Sequence, residues 1–286
     1  MKNLLGPVLI FTASLSWSTA GLFTRVVTTD IPTTLFWRSL MGGLCVLAIT
    51  VAIRRSGDLV AAFRFSWGEV VIATLSTAGM VCFISSFFYT SIANVSFVYG
   101  TMPLATYALS LLVFRETPRL VPTICCLLAA NGVAVMSFGN TALTDHLGIA
   151  LALGMTFFMA ALTVATKFFP KADTLKATYL SAFLGALIMI PFTSFQTVTS
   201  IDYAWLWLYG LVNVGLGFGV YLLGVGRVTA LAAALIGLAE IPLAPVWAWL
   251  LFGETVNSTI VSGGLMILAA TIAYLLRPEE RKEKRA

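Results

Sequence analysis

Charged residues are scarce in this sequence. Only 10% of the residues are charged, whereas 59% are hydrophobic and the mean hydropathy is +0.96; soluble domains carry about a quarter charged residues. The hydrophobic residues form continuous runs of about 20 residues, which is the length that a membrane-spanning helix needs. They do not alternate with polar residues as the strands of a membrane barrel do. The composition argues against a water-soluble fold and predicts an all-α membrane protein.

Histidine is scarce as well, and clusters of metal-ligating residues are missing. The sequence has one histidine, His146, and its four cysteines lie inside apolar runs without the spacing of a disulfide framework or a metal site. An intramembrane enzyme needs a nucleophile with a base, or a metal cluster. No predicted span carries a pair of aspartates that could take such a role. We therefore expect no enzymatic activity, no cofactor and no metal.

Basic residues give a net charge of +5, but they never form the long clusters that bind nucleic acid. They lie one to three at a time in alternate breaks between the apolar runs, for example at Arg54, Arg115 and Arg227. The intervening breaks hold acidic residues such as Asp145 and Asp202. Because basic residues mark cytoplasmic loops, this pattern predicts a multi-pass protein of the inner membrane with both termini in the cytoplasm. It also argues against nucleic acid as a partner.

The apolar runs predict ten transmembrane helices. We place them near residues 5–27, 33–53, 68–90, 96–114, 119–138, 147–167, 175–195, 204–224, 231–252 and 256–276.

The two halves of the chain resemble each other. A shift of 142 residues lays Leu5–Arg25 on Leu147–Lys167 without a gap, and Met102–Glu116 matches Ile241–Glu254 with one gap. Five helices per copy would place equivalent loops on opposite sides of the membrane, which makes the copies inverted repeats. Inverted repeats permit inward-open and outward-open states of similar energy, as alternating access requires. The sequence thus predicts a first repeat over 1–140, a second over 141–277, and a basic cytoplasmic tail over 278–286.

Prolines interrupt equivalent spans of the two halves. Pro103 lies near the middle of the fourth predicted helix, and Pro242 with Pro245 near the middle of the ninth. Each proline removes a backbone hydrogen bond and can free carbonyls towards a cavity. Interrupted spans at matching positions indicate a transporter's substrate site or gate. An ordinary kink without substrate contact is the alternative.

Glu240 is the only acidic residue near the centre of a predicted span. A charged side chain at that depth costs roughly 2.5 to 3.5 kcal/mol even on insertion scales, and such residues mark transport pathways. It is able to bind the ammonium group of a substrate or to carry a coupling proton. Alternatively, it forms a structural pair with a polar neighbour such as Asn213.

Other candidate substrate contacts lie on different helices. Trp17 is too deep in the first helix for the interfacial aromatic belt, and it either lines a cavity or packs between helices. Tyr99 and Tyr107 flank Pro103, and we expect at most one to touch substrate. Asn213 is a substrate contact or an interhelical hydrogen bond.

Arg38 and a glycine-rich segment can each be explained by a structural role without substrate contact. Arg38 can snorkel to the outer surface, and this anchoring is the favoured reading; facing a cavity, it would instead pair with a substrate carboxylate. No Lys or Arg lies near a span centre, which argues against anionic sugar-phosphate substrates. Gly215, Gly217 and Gly219 permit close helix packing or bending.

The motifs and their order resemble a known superfamily. WSTAGLFTR in the first helix, FWRS opening the second, and PLA…FRE and PLAP…FGE closing the fourth and ninth are similar to those of the drug/metabolite transporters with tandem EamA-type repeats. The chain is most similar to bacterial amino-acid exporters, including the YddG-type exporters of aromatic amino acids. This resemblance implies a central cavity lined by both repeats and open alternately to each side.

The expected function is therefore the export of a small-molecule substrate by a secondary transporter, an amino acid with an aromatic or hydrophobic side chain being favoured. Proton coupling through Glu240 is a further expectation. The nearest alternative is an exporter of cationic drugs, because a lone carboxylate facing an apolar cavity suits them equally well.

Overall fold

The structure, a computed structural model, describes residues 4–54, 62–89, 95, 98–137, 146–195, 198–252 and 258–276. The predicted tail, 278–286, lies outside these residues. Within the described ranges all regular structure is helical, which confirms the all-α prediction. The helices are, in chain order, α1 (Leu5–Ser18), α2 (Ala20–Val26), α3 (Ile31–Arg54), α4 (Trp67–Tyr89), α5 (Met102–Phe114), α6 (Leu120–Ser137), α7 (His146–Phe168), α8 (Thr174–Met189) with a 3₁₀ turn (Ile190–Phe192), α9 (Ser200–Tyr209) continuing through a π-helix (Gly210–Gly219) into α10 (Val220–Val225), α11 (Ala230–Gly237), α12 (Glu240–Phe252) and α13 (Ser258–Leu276).

The helices follow the predicted apolar runs in order, but they differ in length. Five helical segments are long and apolar enough to cross a membrane, and five further apolar helices are shorter, at 10–17 residues. Three of the predicted spans are interrupted. The first is interrupted at Thr19, between α1 and α2, the fourth at Gly100 and Thr101, before α5, and the ninth at Leu238 and Ala239, between α11 and α12.

Pro103 and Pro242 lie just after helix breaks, in the first turn of the helix that follows. A turn at Gly100 and Thr101 precedes α5, so that Pro103 lies in its first turn. Pro242 is likewise the third residue of α12, directly after the ninth-span break, and Pro245 lies farther along the same helix. Proline is tolerated in a first helical turn because its missing N–H has no partner there. The sequence thus predicted where these two spans are interrupted, but it did not predict that Pro103 and Pro242 lie in the first turn of a new helix.

The two halves pack crosswise. In the first half, α4 packs against α7 and α8 of the second half. In the second half, the π-helix packs against α1 and α3 of the first. The third span of each half therefore contacts the first two spans of the other. This reciprocity is the packing expected of two similar units related by pseudo-symmetry.

Glycine permits a very close approach between α3 and the π-helix. A β-carbon added at Gly42 would lie 2.6 Å from the carbonyl oxygen of Gly210, and one added at Gly210 would lie 2.5 Å from the carbonyl oxygen of Arg38. Neither position accepts a larger residue without separating the two helices. The contact also fixes the register of α3, so that Arg38, one turn before Gly42, faces the second half.

Large apolar side chains remain exposed around the outside of the bundle. Leu112, Leu250 and Leu265 are 74%, 56% and 61% exposed. Continuous apolar surface of this kind is unfavourable in water but natural against lipid. Polar side chains are instead buried within the bundle, where the two halves meet.

Candidate functional site

The break between α11 and α12 is stabilised from both halves. Helix ends leave carbonyl groups without helical partners, and two hydroxyl groups donate to carbonyls of α11. Ser14 Oγ donates to the oxygen of Ile236 at 3.2 Å, and Thr271 Oγ1 donates to the oxygen of Leu235 at 3.1 Å. Ser14 lies on α1 and Thr271 on α13. The break is therefore a supported feature of the fold.

Glu240 is the first residue of α12 and lies directly at this break. The positive end of the helix dipole favours a carboxylate there. Its side chain forms a hydrogen bond with the hydroxyl of Tyr99. Tyr99 is 4% exposed, and Glu240 as a whole residue is partly exposed. Tyr99 precedes the equivalent break of the first half. The carboxylate is thus contacted by one half while belonging to the other.

Tyr221 on α10 is a second tyrosine close to Glu240, near enough for an electrostatic interaction. Its hydroxyl exchanges a hydrogen bond of 2.7 Å with Thr163 Oγ1 of α7. Its ring lies 5.0 Å from that of Trp17 between centroids. Trp17 is also edge-on to Phe218 at 5.0 Å. Three aromatic rings therefore form a continuous wall leading away from the carboxylate.

Trp17 is held against the π-helix by a polar contact. Its Nε1 donates to the main-chain oxygen of Asn213 at 3.1 Å. The indole lies so close to Gly217 that an added β-carbon would overlap it. Of the glycine run that predicted packing or bending, Gly217 therefore has a defined role in accommodating Trp17. Wide π-helical turns are frequent at functional sites.

Arg38 is buried in the bundle at 4% exposure. Its Nη1 donates to Asn213 Oδ1 at 2.8 Å, and its guanidinium lies 5.0 Å from the centre of the Tyr209 ring. The favoured reading, that Arg38 anchors α3 at the outer surface, is wrong. The Gly42–Gly210 contact turns this face of α3 inward, where Asn213 supplies an acceptor. The sequence argument against anionic groups, which relied on the absence of interior cations, is weakened accordingly.

The structure brings most of the predicted site residues together. Trp17, Tyr99 and Glu240 lie around one site, linked through Tyr221. Asn213 lies behind Trp17, and its amide oxygen binds Arg38.

The two tyrosines that flank Pro103 have different polar partners. Tyr107 bonds the backbone of Arg119 at the start of α6, with its hydroxyl accepting from the amide at 2.7 Å. It therefore serves the connection between α5 and α6, whereas Tyr99 is the tyrosine beside Glu240. Sequence reasoning missed Tyr221, Thr163 and Phe218, because an aromatic or hydroxyl residue in an apolar helix carries no signal of its neighbours.

The site offers acid–base and ion-binding chemistry without a metal. Among the described residues, no group of three or more His, Cys, Asp or Glu side chains could hold a metal ion. One carboxylate beside two phenolic hydroxyls can take up and release a proton, or bind a cation. The aromatic wall offers a flat apolar surface and π faces that attract cations.

Helices with lipid-suited outer faces, broken spans and an interior carboxylate are the features of a membrane transport protein. The sequence matches the EamA-like transporter family twice, over residues 4–138 and 146–276. The chain belongs to that family and contains two EamA domains. It is an integral membrane protein, and its family membership points to a transporter rather than an enzyme.

Relatives and a solved structure agree with this assignment. An uncharacterized transporter of Synechocystis is 24% identical, covering 86% of this chain and 77% of its own length. An uncharacterized transporter of Archaeoglobus fulgidus is 26% identical, covering 93% of this chain and 95% of its own. One protein crystal structure, 18% identical, superposes with a TM-score of 0.82 over 95% of this chain and 96% of its own. That likeness supports the fold alone.

Proposed function

We propose that this protein is a secondary transporter that exports amino acids, favouring aromatic and hydrophobic ones, across the inner membrane by alternating access. All ten apolar segments cross the bilayer in this proposal. Both termini are cytoplasmic, and the two EamA domains form inverted five-helix repeats around a central substrate cavity. Proton coupling through Glu240 is part of the proposal.

The observation that carries the proposal is the environment of Glu240. Its carboxylate lies at a helix break, bonds to Tyr99 of the other half, and has no ion pair among the described residues. Carboxylates inside a membrane protein are costly unless they serve an ion, a proton or a substrate. Because Glu240 is partly exposed and a carboxylate is not stable against lipid, we infer that a polar cavity adjoins this residue. An ammonium group fits such a site.

The aromatic wall supports the choice of side chain. Tyr221 lies close to Glu240, and its ring adjoins that of Trp17, which in turn contacts Phe218. Ligand sites combine apolar and aromatic walls with a few placed polar groups that orient the ligand. A substrate with its ammonium at Glu240 would rest an apolar or aromatic side chain on these rings.

The crosswise packing and the two breaks support alternating access. The break at Gly100–Thr101 and the break at Leu238–Ala239 occupy matching positions of the two halves. The site residues come from both halves. Rocking of one half against the other would therefore change access to the site from each side of the membrane while the site itself persists.

Export of cationic drugs is the second candidate, since the same carboxylate and rings would attract a lipophilic cation. The observation that favours it is the cluster of three adjoining rings, of which Tyr221 lies close to Glu240. The chemical class of the exported compound distinguishes the two candidate functions. Cells producing the protein would resist toxic amino-acid analogues in one case and lipophilic cations in the other.

The direct test is substrate movement in proteoliposomes containing the purified protein, with and without an imposed pH gradient. We expect saturable movement of labelled amino acids, competed by aromatic ones and strongly reduced in Glu240→Gln. Glu116→Gln is a matched control, because Glu116 is exposed at the end of α5. Movement of lipophilic cations without any amino acid would replace the first candidate by the second. Unaltered amino-acid transport by Glu240→Gln across pH would remove the carboxylate from the mechanism.

A further inference from the structure

Arg38 is a buried guanidinium with one hydrogen bond among the described residues. Its Nη1 donates to the amide oxygen of Asn213 at 2.8 Å, and its Nε is buried without an acceptor. A guanidinium keeps its charge in proteins, and no ion pair to Arg38 occurs in the described part of the chain. Nε and Nη2 form the edge through which arginine binds an anion with two parallel N–H groups. No described residue supplies an acceptor to that edge.

A structural role alone does not explain this charge. A neutral side chain could bond Asn213 and join α3 to the π-helix without the desolvation that burying a guanidinium requires. Asn213 is also held independently, because its Nδ2 donates to the main-chain oxygen of Ser16 at 3.5 Å. The ring of Tyr209, 5.0 Å from the guanidinium, contributes a π face but no anion. An anion from outside the chain would offset the desolvation cost.

The interior carboxylate, Glu240, does not supply this anion. Its hydrogen bond is with a tyrosine hydroxyl of the first half. Asn213, the indole of Trp17 and the ring of Tyr221 lie between the guanidinium and this carboxylate along the chain of contacts. The two charges therefore belong to separate sites in the bundle, and the ligand of Arg38 is distinct from the ligand of Glu240.

The surroundings of the guanidinium favour a small anion. Arg38 is 4% exposed. One turn farther along α3, the contact between Gly42 and Gly210 leaves no room even for a β-carbon. The ring of Tyr209 is stacked on that of Phe23, with 4.8 Å between the centroids. Residues of both halves thus enclose the guanidinium closely, which suits a halide or a carboxylate of very few atoms.

We propose that Arg38 binds a small monovalent anion, a halide or a short carboxylate such as formate, through its Nε–Nη2 edge. This inference goes beyond the proposed function and does not depend on which compound is transported. Because α3 belongs to the first EamA domain, and Asn213 and Tyr209 to the second, the bound anion would stabilise the arrangement in which the two domains meet here.

The test is thermal unfolding of the purified full chain in detergent, while sodium chloride or sodium formate replaces sodium gluconate at constant ionic strength. Gluconate, a much larger anion, sets the baseline. We expect the wild-type unfolding temperature to rise and saturate with the small anion, because a ligand stabilises the state that binds it. Arg38→Gln should weaken the apparent affinity tenfold or more. Arg64→Gln is the matched control and should respond as the wild type does, because Arg64 is exposed.

Asn213→Asp keeps the test decisive if Arg38→Gln does not fold. It places a carboxylate where the guanidinium has a neutral acceptor. It should therefore raise the unfolding temperature in gluconate and abolish the response to chloride and formate. Far-UV circular dichroism, and binding of phenethylamine as an ammonium probe of the Glu240 site, show that each variant is folded.

The two anions distinguish the source of the ligand. A response to chloride alone identifies a halide and a response to formate alone identifies a carboxylate, and either result supports the assignment, as does a response to both. No saturable response in the wild type, or an undiminished response in folded Arg38→Gln or Asn213→Asp, would overturn it. Amino-acid transport is measured separately in proteoliposomes, and a failure there leaves the anion site intact.

Discussion

The starts of α4 and α9 show how closely the two halves of the molecule correspond. In α4, the Ser66 amide donates to Glu69 Oε2 at 2.7 Å and the Glu69 amide donates back to Ser66 Oγ at 3.4 Å. In α9, Thr199 and Asp202 form the same reciprocal capping box at 3.1 and 3.2 Å. Each box satisfies amides that a helix start leaves unpaired.

Each capping carboxylate also reaches across to the other half. The second oxygen of Glu69 accepts from the amide of Asp173 at 3.1 Å, in the turn after α7. Asp202 accepts from the amide of Thr28 at 2.9 Å, in the connection after α2. The same device therefore joins the third span of each half to the first connection of the other.

The residues of the candidate site do not repeat in this way. In the alignment of the halves, Glu240 corresponds to Thr101, Trp17 to Met159 and Arg38 to Leu180. Caps and breaks are duplicated, whereas the charged and aromatic groups of the candidate site occur once. The comparison teaches that this fold repeats its helix starts and breaks, while the candidate site takes different residues from each half.

The largest effect is expected at the two helix breaks. Glu240→Gln should abolish most substrate transport, because it removes the charge that binds an ammonium group or proton. Thr101→Val at the equivalent break should leave transport nearly unchanged, since the bond of Thr101 Oγ1 within the described part of the chain goes to its local carbonyl, that of Val98, at 2.7 Å. Initial rates in proteoliposomes measure both. Equal losses in the two variants would show that the breaks, and not the carboxylate, limit transport.

The next largest difference is expected between the effects of substituting Tyr99 and Tyr221. The Tyr99 hydroxyl bonds the Glu240 carboxylate, whereas the Tyr221 hydroxyl bonds neutral Thr163. Hydrogen bonds to charged groups are worth about 1.5–3 kcal/mol and neutral ones about 0.5–1.5 kcal/mol. Tyr99→Phe should therefore alter KM for the substrate by about tenfold or more, and Tyr221→Phe by less. Concentration dependence of uptake decides this, and a larger effect at Tyr221 would contradict the ranking.

Hydropathy and internal similarity predict much of this fold. They located the helical segments, matched Pro103 with Pro242, and singled out Glu240 because a lone interior acid is costly. They did not reveal that the ninth span is broken, since a proline is compatible with a kink or with a new helix start. The inward direction of Arg38 was also hidden, because it depends on Gly210, which lies far away in the sequence.

The next comparison is between two glycines that face corresponding residues of the two halves. Gly217 faces Trp17, and an added β-carbon would overlap the indole; Gly79 faces its counterpart, Met159, whose Cγ would lie at an ordinary 3.6 Å. Overpacking costs about 1–3 kcal/mol, so Gly217→Ala should lower the unfolding temperature and weaken substrate binding. Gly79→Ala should be neutral or stabilising, as alanine is the better helix former. Thermal unfolding in detergent measures both, and equal destabilisation would refute the asymmetry.

The smallest and most even effects are expected at the capping boxes. Loss of an N-terminal cap costs about 0.5–2 kcal/mol, and both Glu69→Gln and Asp202→Asn keep size while weakening the carboxylate's charge-assisted bonds. Both carboxylates accept from the amide of their own cap and from an amide of the other half, and Asp202 also accepts from the hydroxyls of Thr28 and Thr199 at 2.9 and 2.6 Å. We therefore expect both unfolding temperatures to fall, that of Asp202→Asn by slightly more, with probe binding at Glu240 retained. Ser66→Ala and Thr199→Ala separate the two roles, since they remove the cap but leave the bonds from Asp173 and Thr28. A much larger loss in one carboxylate variant than in the other would mean that the contacts between halves are not equivalent, and that the symmetry of the scaffold ends at the helix starts.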